Sequence, residues 1–173
     1  AYKAMHSRKT PVASFYANIL AFDGYYEKKW FPYTMPISDI YGLRQAFDNI
    51  KNDPYMLERH AKIGNAVRAA VKEAGLELYQ ETGFSNTVTV FNVPEGTTDT
   101  AILTAMKEKC NIMLAGSFGA FSGKVIRIGH MGENAYPEKV GAVMAGLDLV
   151  FKDLGITLKC SLKEAYDRKM SEQ

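Results

Sequence analysis

The chain has 173 residues, enough for one compact domain with a full core or for a small domain with an arm, and too few for two large domains. Lys and Arg total 21 against 19 Asp and Glu, a net charge of +2, and the charges are scattered, which gives no support to nucleic-acid binding. No apolar run approaches the roughly 20 residues that span a bilayer and the N-terminus lacks a signal-peptide pattern, so we expect a cytoplasmic protein without a membrane partner.

The first 36 residues are rich in aromatic side chains but show no sustained helical or alternating period, and Pro32 and Pro36 interrupt their end. Such a stretch needs a partner surface. Residues 39–49 are then predicted to form an amphipathic helix, because apolar residues recur at i, i+3, i+7 and i+10, namely at Ile40, Leu43, Phe47 and Ile50.

A longer helix is predicted next. Asp53 and Pro54 together mark its start, as an N-cap acceptor and a proline at the first helical position. Its apolar stripe ends where Gly75 stops the helix, and consists of Ile63, Val67 and Val71.

Four short strands and three helices are predicted beyond residue 75. The strands are residues 76–80, 87–93, 112–115 and 124–128. A helix capped by Thr97, Thr98 or Asp99 lies between the second and third strands, with an apolar line formed by Ile102, Met106 and Cys110. Cys110 and Cys160 lack a CxxC partner or a His cluster, so neither a metal site nor a disulfide is expected.

The last two helices have the clearest patterns. Pro137 opens a helix whose apolar residues hold the i, i+3, i+4, i+7 spacing until Gly155, and Ser161 with Glu164 forms a capping box for a short final helix. The order β, β, α, β, β, α, α predicts an α/β fold (an α+β sandwich), in which helices cover one face of a small mixed sheet and earlier helices link it to another layer.

The glycine-rich stretch 116–124 does not match a phosphate-binding loop. Phe118 occupies the place of a required glycine, and Val125 replaces the Ser or Thr that would bind a metal. We therefore interpret the stretch as a turn between two strands.

Arg127 is the strongest candidate for a binding residue. In an extended strand Ile126 and Ile128 point to one face while Arg127 points to the other, so the apolar pair can anchor the sheet and leave the guanidinium on the open face. A planar, permanently charged fork on a rigid strand suits bidentate binding of a carboxylate. On spacing alone, however, a solvent-exposed strand arginine is the more common explanation. The neighbouring His130 is interpreted as a core or strand-end histidine.

The run from Gly123 to Gly132, which contains Arg127, resembles the C-terminal signature of the class V aminotransferases. These are pyridoxal-phosphate enzymes of fold type I, among them the alanine- and serine-glyoxylate aminotransferases. In that family the matching arginine binds the α-carboxylate of the substrate, and the resemblance implies this role for Arg127. Segments 32–38 and 40–44 are similar to a loop and helix of the family, and residues 132–158 are also similar to pyridoxamine-pyruvate and ureidoglycine-glyoxylate aminotransferases.

The resemblance also implies contacts with the cofactor. In the family, the threonine that matches Thr34 contributes to the cofactor phosphate site across the dimer interface. An aromatic hydroxyl three residues earlier in some members falls on Phe31 here, a departure that leaves Tyr33 as the available phenol. Pyridoxal phosphate, a homodimer and cofactor contacts from Thr34 and Tyr33 are therefore expected of the complete enzyme.

The same resemblance divides the chain. It implies that residues 1–52 are an arm and helix from the end of the large domain and the dimer interface, and that residues 53–173 are the C-terminal small domain. The lysine that binds the cofactor covalently precedes this region in the family, so no residue here is given a catalytic role. Lys3 is not a substitute, because residues 1–7 match the helix after the lysine segment.

We expect the parent enzyme to move an amino group between a small amino acid, or amine, and an oxo acid such as pyruvate or glyoxylate. The chain starts at Ala1 without a Met, which agrees with a fragment or excised domain, and alone it should be inactive. Two other classes remain open: a stand-alone binding or regulatory α/β domain, and one subunit of a split enzyme whose other polypeptide brings the lysine. Exposed aromatic side chains would mark a partner surface in each case.

Overall fold

The structure, a computed structural model, describes residues 1–172 and consists of two compact units that divide between Asn52 and Asp53. The first unit contains the short helix Tyr2–His6 (α1), a 3-10 turn at Ile19–Phe22 and the helix Ile37–Lys51 (α2). Its aromatic rings contact one another, with centroids 5.0–5.5 Å apart, in a cluster of Phe15, Tyr16, Phe22, Phe31 and Tyr33.

The amphipathic helix predicted at residues 39–49 is confirmed as α2. None of its residues is buried, and the four side chains of its apolar stripe are between 45% and 62% exposed. An amphipathic helix normally buries such a stripe. Within the first unit, the stripe of α2 is therefore an exposed apolar surface.

The second unit carries the remaining elements. They are the helices Met56–Glu73 (α3), Asp99–Cys110 (α4), Pro137–Asp153 (α5) and Leu162–Ser171 (α6), the strands Val88–Asn92 (β1) and Val125–Gly129 (β2), and 3-10 turns at Gly119–Phe121 and Gly132–Asn134. None of the helices in the described residues combines the length and the apolar character needed to cross a membrane.

The two strands pair in antiparallel register, with Val90 opposite Arg127. Single bridges extend this sheet on both sides, from Leu78 to Phe91 on β1 and from Ala115 to Arg127 on β2. Two of the four predicted strands therefore form continuous strands, while residues 76–80 and 112–115 each contribute one bridge residue. Every pairing seen in residues 1–172 is antiparallel, whereas a mixed sheet was expected. The expected α/β class with a small sheet covered by helices is confirmed.

The core lies between the sheet and the helices. α3 and α5 both pack on α6, α4 packs on α5, and α3 also contacts β1. The predicted stripe of α3 is fully buried, as are Phe91 of β1 and Phe151 of α5, whose ring centroids are 6.4 Å apart. The predicted helix ends are also confirmed: Gly75 and Gly155 have φ of +86° and +73°, the left-handed region that favours glycine.

The start of α3 differs from the prediction. Asp53 and Pro54 precede the helix, which begins at Met56, and the N-cap residue Tyr55 makes no side-chain capping bond. The Asp53 carboxylate instead accepts two hydrogen bonds from the guanidinium of Arg59, at 3.0 and 2.6 Å. The Asp53 carboxylate, which the sequence pattern assigned to the helix cap, thus forms an ion pair with Arg59 instead.

Candidate functional site

Arg127 lies in the middle of β2, where the alternation of the strand sets its environment. Ile126 and Ile128 are fully buried against the helices, whereas Arg127 is half-buried and Gly129 is exposed. The predicted placement, with two isoleucines anchoring the strand and the guanidinium side chain on the opposite face, is what the structure shows.

Residues 115–116 lie beside β2 at the edge of the sheet and bind Arg127 through their carbonyl oxygens. The backbone N–H of Arg127 donates to the carbonyl of Ala115 at 2.7 Å, and its Nε–H donates to the carbonyl of Gly116 at 2.6 Å. No carboxylate of residues 1–172 lies within ion-pair distance of the guanidinium. The Nε bond fixes the orientation of the side chain, and its two terminal nitrogens can bind an incoming anion.

The close approach of Gly116 depends on its missing side chain. A Cβ at this position would lie 3.2 Å from Oδ2 of Asp99 and 3.5 Å from Cδ1 of Leu103. The carboxylate of Asp99 is held in turn by the backbone N–H of Thr100 at 2.7 Å. The first residue of α4 therefore limits the space around the carbonyl that orients Arg127. The sequence placed Gly116 in a turn and gave no sign of this contact.

His130, directly after β2, is fully buried and fully hydrogen-bonded. Nδ1 lies 3.1 Å from the carbonyl oxygen of Asn86, which can only accept, so Nδ1 carries the proton. Nε2 then accepts the hydroxyl of Thr89 at 2.9 Å. Burial lowers the pKa of the imidazole below its usual 6.5, and the nearby charge of Arg68 lowers the pKa further. The interpretation of His130 as a structural histidine agrees with this burial.

A second histidine fixes the chain just beyond His130. Nε2 of His60 on α3 accepts the backbone N–H of Gly132 at 3.2 Å, while its Nδ1 lies 2.6 Å from the carbonyl oxygen of Met56. Hydrogen bonds of two histidine side chains, those of His130 and His60, thus fix the segment that follows β2. The sequence pattern singled out only His130.

Two arginines on α3 hold neighbouring loops by their carbonyl oxygens. Arg59 Nε donates to Ala135 at 2.8 Å, and its hydrogen bonds hold the pKa of the Asp53 carboxyl below its usual value. Arg68 Nη1 donates to Ser85 at 2.8 Å, and burial lowers the pKa of its guanidinium. These residues tie the loops before β1 and before α5 to α3, a role that sequence spacing could not indicate.

A pocket of about 700 Å³ opens beside Arg127. Its walls come from both strands, from the segment that ends at Ala115, and from the first turns of α5. This volume falls within the roughly 300–1,000 Å³ of small-molecule sites. Arg127 and Lys139 are the charged residues of the described chain that line this space.

The two candidate cofactor residues belong to the first unit. Thr34 is exposed, and its hydroxyl forms no hydrogen bond with the part of the chain that the structure describes. Tyr33 is half-buried in the aromatic cluster, and its hydroxyl donates to the carbonyl oxygen of Phe15. The Thr34 hydroxyl is free for a ligand, whereas that of Tyr33 already has a partner.

Known aminotransferases are similar to this chain over most of its length, although no protein-family profile matches it. An uncharacterized aminotransferase of Methanocaldococcus jannaschii is 37% identical over 149 residues, which are 84% of this chain and 38% of that protein. The serine–glyoxylate aminotransferase of Arabidopsis thaliana is 35% identical over 130 residues, covering 73% of this chain and 32% of that one.

Solved structures of aminotransferases are also similar to this chain. The ureidoglycine-glyoxylate aminotransferase of Bacillus subtilis matches 99% of this chain and 46% of its own, with a TM-score of 0.89 and 25% identity. Fold and sequence together define a segment of a fold type I aminotransferase. The chain belongs to the class V aminotransferases and corresponds to their C-terminal part. It spans between 32% and 46% of the length of these three proteins.

Proposed function

We propose that the chain is the C-terminal segment of a pyridoxal-phosphate-dependent aminotransferase, and that Arg127 binds the substrate carboxylate. The complete enzyme would be a cytoplasmic homodimer that moves an amino group between a small amino acid, or amine, and an oxo acid such as pyruvate or glyoxylate. The observation that carries this proposal is the half-buried guanidinium of Arg127, which is oriented by Gly116 and has no carboxylate partner in the described residues.

The geometry specifies how Arg127 would act. Because Nε is already bonded to Gly116, the carboxylate would approach the two terminal nitrogens, each of which has N–H donors. Two parallel, charge-assisted hydrogen bonds would then set the position and orientation of the substrate. Its amino or oxo carbon would be held in one place relative to the reacting groups of the complete enzyme.

In the first unit, Thr34 is the residue that would bind the cofactor. Its exposed hydroxyl, without a hydrogen bond in residues 1–172, is suited to donate to the phosphate of pyridoxal phosphate in a neighbouring subunit. The Tyr33 hydroxyl would first have to break its hydrogen bond to the carbonyl of Phe15, so we expect it to contribute less to phosphate binding than Thr34 does. When bound, the cofactor supplies the electron-withdrawing ring that makes exchange of an amino for an oxo group possible. The lysine that holds it would come from sequence outside these 173 residues.

The domain assignment completes the proposal. Residues 1–52 would be the arm and helix from the end of the large domain and the dimer interface, and residues 53–173 the small domain. The exposed apolar stripe of α2 supports this assignment, because it needs a cover that the first unit does not give it.

Carboxylate binding to the chain tests the role of Arg127. The ¹⁵N-labelled protein is titrated with pyruvate while NMR follows the backbone amide resonances of Ala115 and Gly129, which line the pocket beside Arg127 and are present in every variant. Arg127→Ala should weaken the affinity by at least about tenfold, because a charge-assisted pair is lost. Arg168→Ala is the matched control, since it removes the same charge from an exposed pair with Glu73. Equal affinities of the two variants would remove Arg127 from the site.

A further inference from the structure

The 3-10 turn that follows β2 is bound at both ends by α3. The backbone N–H of Gly132, the first residue of the turn, donates to Nε2 of His60 at 3.2 Å. At the other end, the Nε–H of Arg59 donates to the carbonyl oxygen of Ala135 at 2.8 Å. Two adjacent residues of one helix therefore fix the position of this turn.

The hydrogen bond from Gly132 requires a neutral His60 ring. Nδ1 lies 2.6 Å from the carbonyl oxygen of Met56, which can only accept, so Nδ1 carries the proton and Nε2 has a lone pair for Gly132. A second proton can bind to this ring only at Nε2, where it would face the N–H of Gly132. Protonation of His60 would therefore replace a hydrogen bond with two opposed donors.

The surroundings of His60 can accommodate a positive charge. The charged and titratable groups of this region belong to the start of α3, to its later turns and to the segment after β2, and they are Asp53, Arg59, Arg68, His130 and Glu133. The Asp53 carboxylate, which Arg59 shares, interacts electrostatically with His60 and can stabilise its charged form. His130 is in a different position, because burial and the charge of Arg68 lower its pKa. Histidine is the side chain that ordinarily changes its charge between about pH 5 and about pH 8.

We propose that His60 is a positioning residue for the substrate site, and that it holds the turn after β2 only while Nε2 is unprotonated. Met131, directly before the turn, and Asn134, its last residue, line the same space as Arg127. Release of the turn at acidic pH would therefore disturb the walls of the space in which the carboxylate binds. The effect on the ligand rests on the proposed function, whereas the effect on the turn does not.

The first measurement follows the turn itself, by NMR of the 173-residue chain between about pH 8 and about pH 5. The ¹⁵N resonances of the His60 ring should show an unprotonated Nε2 at the higher pH and a protonated Nε2 at the lower pH. Together with this change, the protection factor of the Gly132 amide against hydrogen exchange should fall by at least about threefold, because its acceptor is lost.

Three variants separate proton binding from packing. His60→Gln keeps an acceptor near the place of Nε2 but takes up no proton in this range, so Gly132 should stay protected at both pH values. His60→Leu has no acceptor, and its Gly132 amide should be poorly protected at both. His6→Gln, which removes an exposed histidine of the first unit, should behave as the unmodified chain does.

Pyruvate binding tests the link to the substrate site, with the amide resonances of Ala115 and Gly129 as reporters. The carboxylate of pyruvate and the guanidinium of Arg127 keep their charges over this pH range, so a change of ligand charge does not contribute. The affinity of the unmodified chain should fall by at least about threefold toward the lower pH, whereas that of His60→Gln should stay within about twofold.

Three results for the turn would overturn the inference: a protonated Nε2 at the higher pH, equal protection of Gly132 at both pH values, and an equal fall of protection in His60→Gln. A pyruvate affinity that is independent of pH, or that falls equally in His60→Gln, would remove His60 from the substrate site. These outcomes leave the proposed function intact as long as pyruvate binding depends on Arg127. If Arg127→Ala bound pyruvate as well as the unmodified chain does, the proposed function would fail, even with the turn behaving as expected.

Discussion

The Nε–H of Arg127 donates to the carbonyl oxygen of Gly116 across 2.6 Å, which joins the centre of β2 to the glycine-rich turn eleven residues earlier. This bond leaves the two terminal nitrogens of the guanidinium pointing at no carboxylate of the described chain. The bond holds the Arg127 side chain in a fixed orientation, unlike that of a mobile surface arginine, so the candidate carboxylate site is preorganised.

Gly116→Ala should weaken both the fold and the site. The added methyl group would lie 3.2 Å from Oδ2 of Asp99, which is closer than an ordinary contact, so the turn must shift and move the carbonyl that orients Arg127. We expect a loss of about 1 kcal/mol in unfolding free energy, measured with urea, and weaker pyruvate binding. Gly129→Ala is the stability control, because a Cβ there meets no atom within 4 Å, and a similar loss in that variant would contradict the steric explanation.

Thr89→Val should destabilise the protein by about 1–2 kcal/mol. The two side chains have nearly the same shape, but valine leaves the buried Nε2 of His130 without a donor. Thr104→Val, at an exposed position of α4, should change the unfolding free energy by less than about 0.5 kcal/mol. Equal effects at the two positions would show that the buried hydrogen bond has no net value.

The stability should fall as the pH drops through 6.5, because burial lowers the pKa of His130 below that value. In this window the unfolded chain takes up a proton that the folded His130 does not accept, so protons favour unfolding. Urea denaturation between about pH 8 and about pH 5 should show a steeper loss for the unmodified chain than for His130→Asn. Parallel pH profiles for the two proteins would contradict the lowered pKa.

Asp148→Ala should cost about 2 kcal/mol, because this α5 carboxylate caps the first turn of α6. It accepts the backbone N–H groups of Leu162 at 2.7 Å and Lys163 at 3.0 Å, and the hydroxyl of Ser161 at 2.6 Å. Asp153→Ala, which breaks only an exposed ion pair with Lys109, should cost less than about 1 kcal/mol. The comparison is made by thermal and urea unfolding, and the reverse order of the two variants would refute the cap.

The helices of the second unit could be predicted because their signals are local. The apolar spacing of α5 and the caps at Thr98 and Ser161 depend on residues within a few positions, and the hydroxyls of both caps accept the expected N–H groups. The sheet was harder to predict. Residues 76–80 and 112–115 have the composition of strands, but pairing needs a neighbour, and each contributes a single bridge at an outer edge of the sheet.

The candidate site likewise has features that the sequence could predict and features that it could not. The alternation around Arg127 placed its side chain opposite the buried isoleucines, since that depends only on a strand period of two. The carbonyl of Gly116, the Asp53–Arg59 pair and the bond from Gly132 to His60 join residues between six and 72 positions apart, which no local pattern encodes. The roles of Arg127, Thr34 and Tyr33 toward substrate and cofactor stay predictions.

The most direct test of the central claim uses the complete aminotransferase that contains this segment, with Arg127→Ala. We predict that the apparent affinity for the amino donor falls by a factor that corresponds to about 2–4 kcal/mol, while the visible absorption of the bound cofactor is retained. Unchanged affinity for every amino donor, with the cofactor still bound, would contradict the assignment of Arg127 as the carboxylate-binding residue.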